Sequence, residues 1–184
     1  MSRIVLLRHP RADAPPGLCY GRLEVGIGPD APAEIAAALR ETPPVTRVIA
    51  SPARRCGALA TALARRDGVP VLADPRLREL DFGRWEGRRW DAIDRAESDP
   101  WAEDPMERAP PGGERFRDLL ARVAECLGAA RAGDALVAHA GPIRAARMLL
   151  EDIGFAQAFA EPVPHAAPIL LPLPREVPSW PIFP

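Results

Sequence analysis

Two histidines and two arginines of this sequence are spaced so that they could act together on a phosphate group. His9 follows the apolar run "IVLL" and Arg8, and His139 follows directly on the run "ALVA". Arg55 lies in the first turn of a helix predicted after a third apolar run, "VIA". An imidazole can serve as a nucleophile, and guanidinium groups bind oxyanions through several N–H donors. Together they predict a phosphate site.

The segments that carry these residues share one pattern, which predicts strands followed by helices. Ser51 would cap the helix that Pro52 opens and Gly68 ends, and Pro142 would open the helix that Gly154 ends. Serine before a helix, proline in its first turn and glycine just past its end are the usual boundary signals. Because ligands bind beyond the carboxyl ends of parallel strands, we expect both histidines at that edge.

The remaining segments complete the prediction of an α/β fold. Asp30 precedes a helical pattern, a second helix covers about residues 114–133, and a third lies around Trp90 to Glu97. Strands are predicted at 69–74 and 167–174, the latter at a sheet edge because it contains a proline. We therefore expect a three-layer α/β/α sandwich with a mostly parallel central sheet and helices on both faces.

The length of the chain predicts one domain over residues 1–184, ending in a proline-rich tail from about residue 172. Two long connections, 10–29 and 74–114, interrupt the regular elements. Loops of this length in a compact domain are usually functional, so we expect them to hold the part of the substrate that is not phosphate.

The composition excludes some function classes and weakens one signal. The net charge of −1 gives no bulk attraction to nucleic acid or membranes, and no apolar run approaches the roughly 18 residues of a membrane span. The three cysteines lack metal-ligand spacing and are expected to be reduced thiols of a cytoplasmic protein. All 24 basic residues are arginine, so a single arginine is weak evidence of phosphate binding.

Five motifs in order resemble the signatures of the histidine phosphatase superfamily, which includes phosphoglycerate mutases and small phosphatases. They are "LLRHP", "SPARRCGALA", "RLRELDFGRWEG", "PPGGERF" and "LVAHAGPIR". The resemblance implies a phosphoglycerate mutase-like fold and hydrolysis of a small phosphate ester through a phosphohistidine. It implies no metal and no other cofactor.

The resemblance also assigns roles to five residues. His9 matches the nucleophile, and Arg8 and Arg55 match the arginines that hold the phosphoryl oxygens. His139 matches the second histidine, which donates a hydrogen bond to the phosphoryl group. Glu79 matches the acid that protonates the leaving oxygen and later assists a water molecule.

A further stretch, "GLCYGRLEV", resembles the segment after the nucleophile in α-ribazole phosphatases. On this resemblance Tyr20 and Arg22 would bind substrate, and α-ribazole 5′-phosphate, an intermediate of cobalamin nucleotide-loop assembly, is a candidate substrate. An exposed loop arginine is the structural alternative for Arg22. Asp81, two residues after Glu79, is a reserve candidate for the acid.

Several positions depart from the family pattern and leave the substrate open. Pro10 and Pro15 stand where glycine and asparagine are usual, and Gly26 and Ala31 where proline and glycine are usual. The second-histidine motif reads "HAG" in place of a glycine pair. Proline has no N–H, so we expect Pro10 to make the nucleophile's loop rigid while other donors replace the missing one.

Alternatives remain for the whole chain and for some residues. A phosphoglycerate mutase activity or a non-catalytic phosphate-binding role would use the same motifs. His165 could line the rim of the pocket or cap the last strand. Four residues could form an apolar wall for an aromatic base or merely pack the loop: Trp85, Trp90, Trp101 and Met106.

Overall fold

A five-stranded sheet lies at the centre of the protein, whose computed structural model describes residues 2–174. The strands are β1 (Arg3–Arg8), β2 (Ala12–Asp13), β3 (Gly26–Ile27), β4 (Arg47–Ala50), β5 (Val71–Ala73), β6 (Asp134–Ala138) and β7 (Pro168–Pro172). The large sheet has the order β5-β4-β6-β1-β7, and β2 pairs with β3 in a small sheet that the sequence did not predict. Neighbours in the large sheet are parallel except β7, which is antiparallel to β1. The mostly parallel sheet and the edge position of the proline-containing strand are confirmed.

Helices cover both faces of this sheet. They are α1 (Ala31–Glu41), α2 (Arg54–Asp67), α3 (Arg95–Glu103), α4 (Phe116–Gly128), α5 (Ala140–Glu151) and α6 (Phe155–Ala160). Alternate residues of a strand face opposite sides. Accordingly, Ile4 and Leu6 of β1 pack in a core with α4 and α5, whereas Val5 and Leu7 pack in a second core with α1 and α2. The three-layer α/β/α arrangement is confirmed.

The predicted helix boundaries hold in part. Gly68 ends α2 in the left-handed conformation, with φ at 68°. The prediction of Ser51 as the N-cap was wrong: α2 begins at Arg54, and the Ser51 hydroxyl accepts a hydrogen bond from the amide of Ala53 at 3.3 Å.

The predictions for α5 and α3 also needed correction. The helix predicted to end at Gly154 ends at Glu151, because Asp152 takes the left-handed conformation. Gly154 is instead the N-cap residue of α6. The helix predicted around Trp90 starts later, at Arg95, where the Asp94 carboxylate accepts a hydrogen bond from the amide of Ala96 at 2.9 Å. Part of the predicted proline-rich tail, residues 175–184, lies outside the described residues.

Two loop segments cross at very close range, and glycines make this possible. A β-carbon on Gly83 or Gly113 would overlap backbone atoms of the other segment, and Gly83 also has a positive φ of 54°. The motifs "DFGRWEG" and "PPGGERF" therefore pack against each other, which brings two distant parts of the 74–114 connection together. This connection forms one wall of the candidate site.

All three cysteines are buried as free thiols. Burial raises the pKa of Cys19, Cys56 and Cys126 to about 12 in each case. Within residues 2–174, the structure contains no helix with the length and apolar character that crossing a membrane requires.

Candidate active site

The register of β1 and β6 places the two predicted catalytic histidines side by side. Arg8 pairs with Ala138, so the residues that follow, His9 and His139, leave the sheet at the same edge. Their ring centroids are 5.1 Å apart, and both side chains are buried. Since the carboxyl ends of parallel strands meet at one edge, this proximity follows from the topology.

The hydrogen bond made by the His9 ring leaves one ring nitrogen available for attack on phosphorus. His9 Nδ1 lies 2.6 Å from the carbonyl oxygen of Pro10. A carbonyl can only accept, so Nδ1 carries the proton, and Nε2 holds the lone pair in the neutral imidazole. Pro10, which has no N–H to donate, therefore contributes its carbonyl oxygen as the acceptor for His9.

The surroundings of His9 keep the imidazole neutral. Burial lowers the pKa of His9 to about 3, against the opposing effect of the Pro10 carbonyl, and the positive charges of Arg55 and Arg8 lower the pKa further. Burial also moves the pKa of His139 well below its usual value. A nucleophilic imidazole must be unprotonated, so this environment suits His9 for that task.

Arg55 and His139 form a buried polar network with the start of α2. Arg55 Nε donates to His139 Nδ1 at 3.2 Å, and His139 Nε2 lies 2.9 Å from the Ser51 hydroxyl. The other two Arg55 nitrogens donate to backbone carbonyls, to Leu23 at 3.0 Å and to Gly21 at 2.5 Å. A guanidinium has five N–H donors, so two remain for phosphoryl oxygens.

Arg8 and the nucleophile are clamped by the segment that precedes β7. Arg8 Nη1 donates to the carbonyl of Val163 at 2.9 Å, and the amide of Ala166 donates to the carbonyl of Arg8 at 3.0 Å. His165 Nδ1 donates to the carbonyl of His9 at 2.9 Å. Arg8 Nε is buried and has no hydrogen-bond partner within residues 2–174, so it is a free donor beside His9.

His165 thus contacts the nucleophile itself, which neither sequence alternative had proposed. Its ring centroid lies 5.3 Å from that of His9, and His165 does not line the cavity described below. In the described part of the chain, no three histidine, cysteine or acidic side chains are arranged to hold a metal ion.

Glu79 is held at the N-terminus of α5, where it contacts Gly141, two residues after His139. Its Oε1 accepts hydrogen bonds from the amides of Leu80 at 2.9 Å and Gly141 at 3.1 Å. A β-carbon at position 141 would overlap Oε1. The "HAG" motif therefore supplies a glycine whose missing side chain makes room for the candidate acid.

Tyr20 and Arg22 are placed differently by the structure. Tyr20 lines the cavity described below, and its ring centroid lies 5.5 Å from the Arg55 guanidinium carbon. Arg22 does not line that cavity and instead pairs with Asp81 at 3.2 Å and with Glu114 at 3.4 Å. Asp81, the reserve acid, thus faces Arg22.

Glu86 organises this loop, and the sequence analysis did not identify it. The Glu86 carboxylate accepts hydrogen bonds from the amides of Arg22 at 2.8 Å, Phe82 at 3.1 Å and Leu23. Glu86 is therefore only partly exposed, because its carboxylate binds three backbone N–H donors. Only its place in "GRWEG", beside the crossing glycines, could have suggested this role.

One cavity of about 560 Å³ is lined by four of the five predicted catalytic residues and by a group of aromatic side chains, whereas His139 does not line it. We call the side with Arg8, His9 and Arg55 the phosphate end, and we include His139, which contacts Arg55. We call the mainly aromatic part of the lining the leaving-group end. Its walls are formed by Phe82, Trp90, Trp101, Phe116, Arg144, Phe155 and Phe159. Glu79 lines the same cavity.

The four apolar residues singled out from the sequence divide into two groups. Trp90 and Trp101 line the leaving-group end, with ring centroids 6.0 Å apart. Trp85 is fully buried and donates to Glu97 at 2.9 Å, and Met106 packs against the core. Sequence reasoning missed the α6 aromatics because that helix was not predicted.

Comparison with known proteins places these features in a family. Residues 4–176 match the sequence model of the histidine phosphatase superfamily, branch 1. The bifunctional protein Rv2228c of Mycobacterium tuberculosis is 32% identical over 167 residues, which cover 83% of this chain and 45% of that protein. The chain thus spans less than half the length of this curated relative.

Other relatives are named for their substrates. A glucosyl-3-phosphoglycerate phosphatase of Mycolicibacterium vanbaalenii is 32% identical over 129 residues, 66% of this chain and 56% of that protein. The native structure of a mycobacterial glucosyl-3-phosphoglycerate phosphatase has a TM-score of 0.75 at 30% identity, covering 90% of this chain and 87% of that one.

A third similarity concerns the fold alone. The α-ribazole phosphatase from Shigella flexneri has a TM-score of 0.82 at 19% identity, covering 96% of this chain and 98% of that one. The match over residues 4–176, the sheet topology and the pair of strand-end histidines agree with one another. This chain belongs to the histidine phosphatase superfamily.

Proposed function

We propose that this chain is a phosphomonoesterase that forms a phosphohistidine at His9. The observation that carries the proposal is the buried, neutral His9 ring, whose Nε2 is left free by the bond from Nδ1 to Pro10. Two guanidiniums and a carboxyl group line the same cavity, at Arg8, Arg55 and Glu79.

In the first step, His9 Nε2 attacks phosphorus and the bond from phosphorus to the leaving oxygen breaks. The unpaired Nε of Arg8 and the two remaining donors of Arg55 hold the phosphoryl oxygens, whose charge is present throughout the transfer. Glu79, in its protonated form, gives its proton to the leaving oxygen, which departs as an alcohol.

In the second step, water attacks the phosphorus of phosphohistidine and the bond between phosphorus and Nε2 breaks. The Glu79 carboxylate takes the proton that water loses, which restores the starting form of the acid. His9 keeps its proton on Nδ1 throughout, and the Pro10 carbonyl stabilises the positive charge of the phosphorylated ring. The net reaction converts a phosphate ester and water into an alcohol and inorganic phosphate.

For the substrate, we propose a phosphate ester with an aromatic leaving group, and α-ribazole 5′-phosphate as the first compound to assay. Two features support this choice: the "CYGR" segment places Tyr20 at the cavity, and the leaving-group end is walled by aromatic rings. Aromatic side chains favour flat apolar groups through stacked or edge-to-face contacts. The relatives named for glucosyl-3-phosphoglycerate make that ester the natural comparison substrate.

Phosphate release from p-nitrophenyl phosphate, α-ribazole 5′-phosphate and glucosyl-3-phosphoglycerate tests the proposal. We expect wild type to release phosphate, His9→Ala to release none above background, and an acid-labile phosphoryl group to be trapped on His9. Glu79→Gln should accumulate that group, while Glu103→Gln, an exposed carboxylate on α3, should behave as wild type. Wild type that is inert on a broad panel, or that moves phosphate between positions without releasing it, would contradict the proposal.

A further inference from the structure

Two N–H donors at the leaving-group end have no hydrogen-bond partner among the residues that the structure describes. They are Nε1 of Trp101 and Nε of Arg144, which are buried and make no hydrogen bond within residues 2–174. Leaving a buried donor unpaired costs about 1–3 kcal/mol. Two such donors on residues that wall one cavity indicate a ligand that brings acceptor oxygens.

The guanidinium of Arg144 makes no ion pair within residues 2–174. Burial lowers the pKa of Arg144, and the Glu79 carboxylate, which lines the same cavity, opposes that shift. The central carbon of the Arg144 guanidinium lies 4.6 Å from the ring centroid of Phe159, and no carboxylate within residues 2–174 lies at ion-pair distance from it. Arg147, three residues further along α5, pairs with Glu151 at 2.7 Å and with Glu161 at 2.8 Å. Arg147 is therefore paired with two carboxylates, whereas Arg144, which lines the cavity, has no ion pair within residues 2–174.

The position of Arg144 relative to the chemistry indicates which part of a substrate it would meet. Residues three apart on a helix share a face, so Arg144 lies one turn beyond Gly141, whose amide holds Glu79. The leaving oxygen must reach Glu79 to receive its proton. The atoms beyond that oxygen are then within the cavity that Arg144 and Trp101 also line, and Arg144 is close enough to Glu79 for their charges to interact.

We propose that Arg144 and Trp101 form a subsite for a carboxylate carried by an aromatic leaving group. One guanidinium and one indole N–H match the two oxygens of a carboxylate, and the surrounding rings match an aromatic body. The inference rests on the proposed function and narrows its substrate class to phosphate monoesters of carboxylated aromatic alcohols or phenols. α-Ribazole 5′-phosphate meets the aromatic requirement without the carboxylate.

A pair of matched aryl phosphates isolates this subsite. We expect wild type to have a higher kcat/KM for 4-carboxyphenyl phosphate than for its methyl ester. Arg144→Met should lower the ratio of the two values about tenfold, in line with the loss of one charged hydrogen bond. Trp101→Phe keeps a ring without the N–H and should lower the ratio by a smaller factor. Arg147→Met, on the same helix, should leave the ratio unchanged.

Two further measurements separate this inference from the proposed function. In the His9→Ala variant, calorimetry should show that 4-carboxyphenyl phosphate binds more tightly than its methyl ester, and that adding Arg144→Met removes the difference. That result would support the subsite even if no turnover were found. An unchanged ratio in Arg144→Met would overturn it. So would weaker inhibition by inorganic phosphate in that variant, because Arg144 would then serve the phosphate end.

Discussion

The two ends of the cavity are built on opposite principles. At the phosphate end, most polar atoms of His9, Arg55 and His139 are bound to partners in the sheet, the helix start or the neighbouring loop, whereas Nε of Arg8 is left unpaired within residues 2–174. At the leaving-group end, aromatic rings pack edge to face, as Phe82 with Trp90, or stacked, as Phe155 with Phe159. Donors of Trp101 and Arg144 are left unpaired there within residues 2–174. The first end is held rigidly for a group that every substrate shares. The second is left incomplete for the group that differs between substrates.

The largest effect should come from breaking the phosphate end at Arg55. Arg55→Met removes donors to the phosphoryl group, to His139 and to the loop carbonyls, so we expect kcat/KM to fall about 10³-fold for every phosphate ester. Steady-state kinetics on an aryl and an alkyl ester test this. Arg54→Met, an exposed neighbour on the same helix turn, is the control, and an equal loss there would refute the assignment.

A second substitution should disturb the junction between the two ends. Gly141→Ala places a methyl group against the Glu79 carboxylate, so we expect kcat to fall about 10²-fold through misplacement of the acid. Inhibition by inorganic phosphate should stay close to the wild-type value. Gly57→Ala in α2, where a β-carbon meets no other atom, should keep full activity. Weakened phosphate inhibition in Gly141→Ala would show that the substitution damages the phosphate end as well.

The pH dependence of stability should reveal the desolvated histidines of the phosphate end. The pKa of His9 falls from 6.5 to about 3 on folding, so between these values the unfolded chain binds a proton that the folded chain does not. Stability is therefore complete above pH 6.5 and is lost as the pH falls toward 3, by about 1 kcal/mol per pH unit. The free energy of unfolding, measured with urea between pH 7 and 5, should fall less steeply with decreasing pH in His9→Ala than in wild type. An identical slope would contradict this account.

The smallest effect should come from the leaving-group end. Trp90→Leu keeps an apolar wall but loses a ring, so we expect KM for aryl phosphates to rise by a few-fold up to about tenfold. Glycerol phosphate, which has no ring to stack, should be hydrolysed at the wild-type rate. If both substrates lose activity equally, Trp90 supports the loop and does not select the leaving group.

The sequence predicted the phosphate end far better than the leaving-group end, and the reason is physical. His9 and His139 lie at strand ends, and strand register brings such positions together whatever the loops do. Glu79 is held in the site by hydrogen bonds from the amides of Leu80 and Gly141, and both of these residues belong to the family motifs. These features depend on regular hydrogen bonding and on short-range pattern.

The remaining features depend on how irregular segments pack. Arg22 was predicted to bind substrate but pairs with Asp81 and Glu114, acids whose approach follows from glycine crossings that no local pattern reveals. For His165, the sequence left open whether it lines the pocket rim or caps the last strand. Its contact with the His9 carbonyl could not be predicted, because it depends on the position of the turn before β7. Arg144 was hidden among 24 arginines, since no local pattern marks which arginine lines the aromatic part of the cavity.

The three buried thiols can report local unfolding of the protein, because they react only when they become exposed. Alkylating reagents attack the thiolate, and a pKa of about 12 with no exposed sulfur means that reaction waits for local unfolding. Cys19 packs with Trp85 behind the aromatic wall, whereas Cys56 lies 3.6 Å from the His139 ring. Pulsed alkylation followed by mass spectrometry can therefore time the opening of each region separately in one sample. Inorganic phosphate should lower the alkylation rate of Cys56 more than that of Cys19.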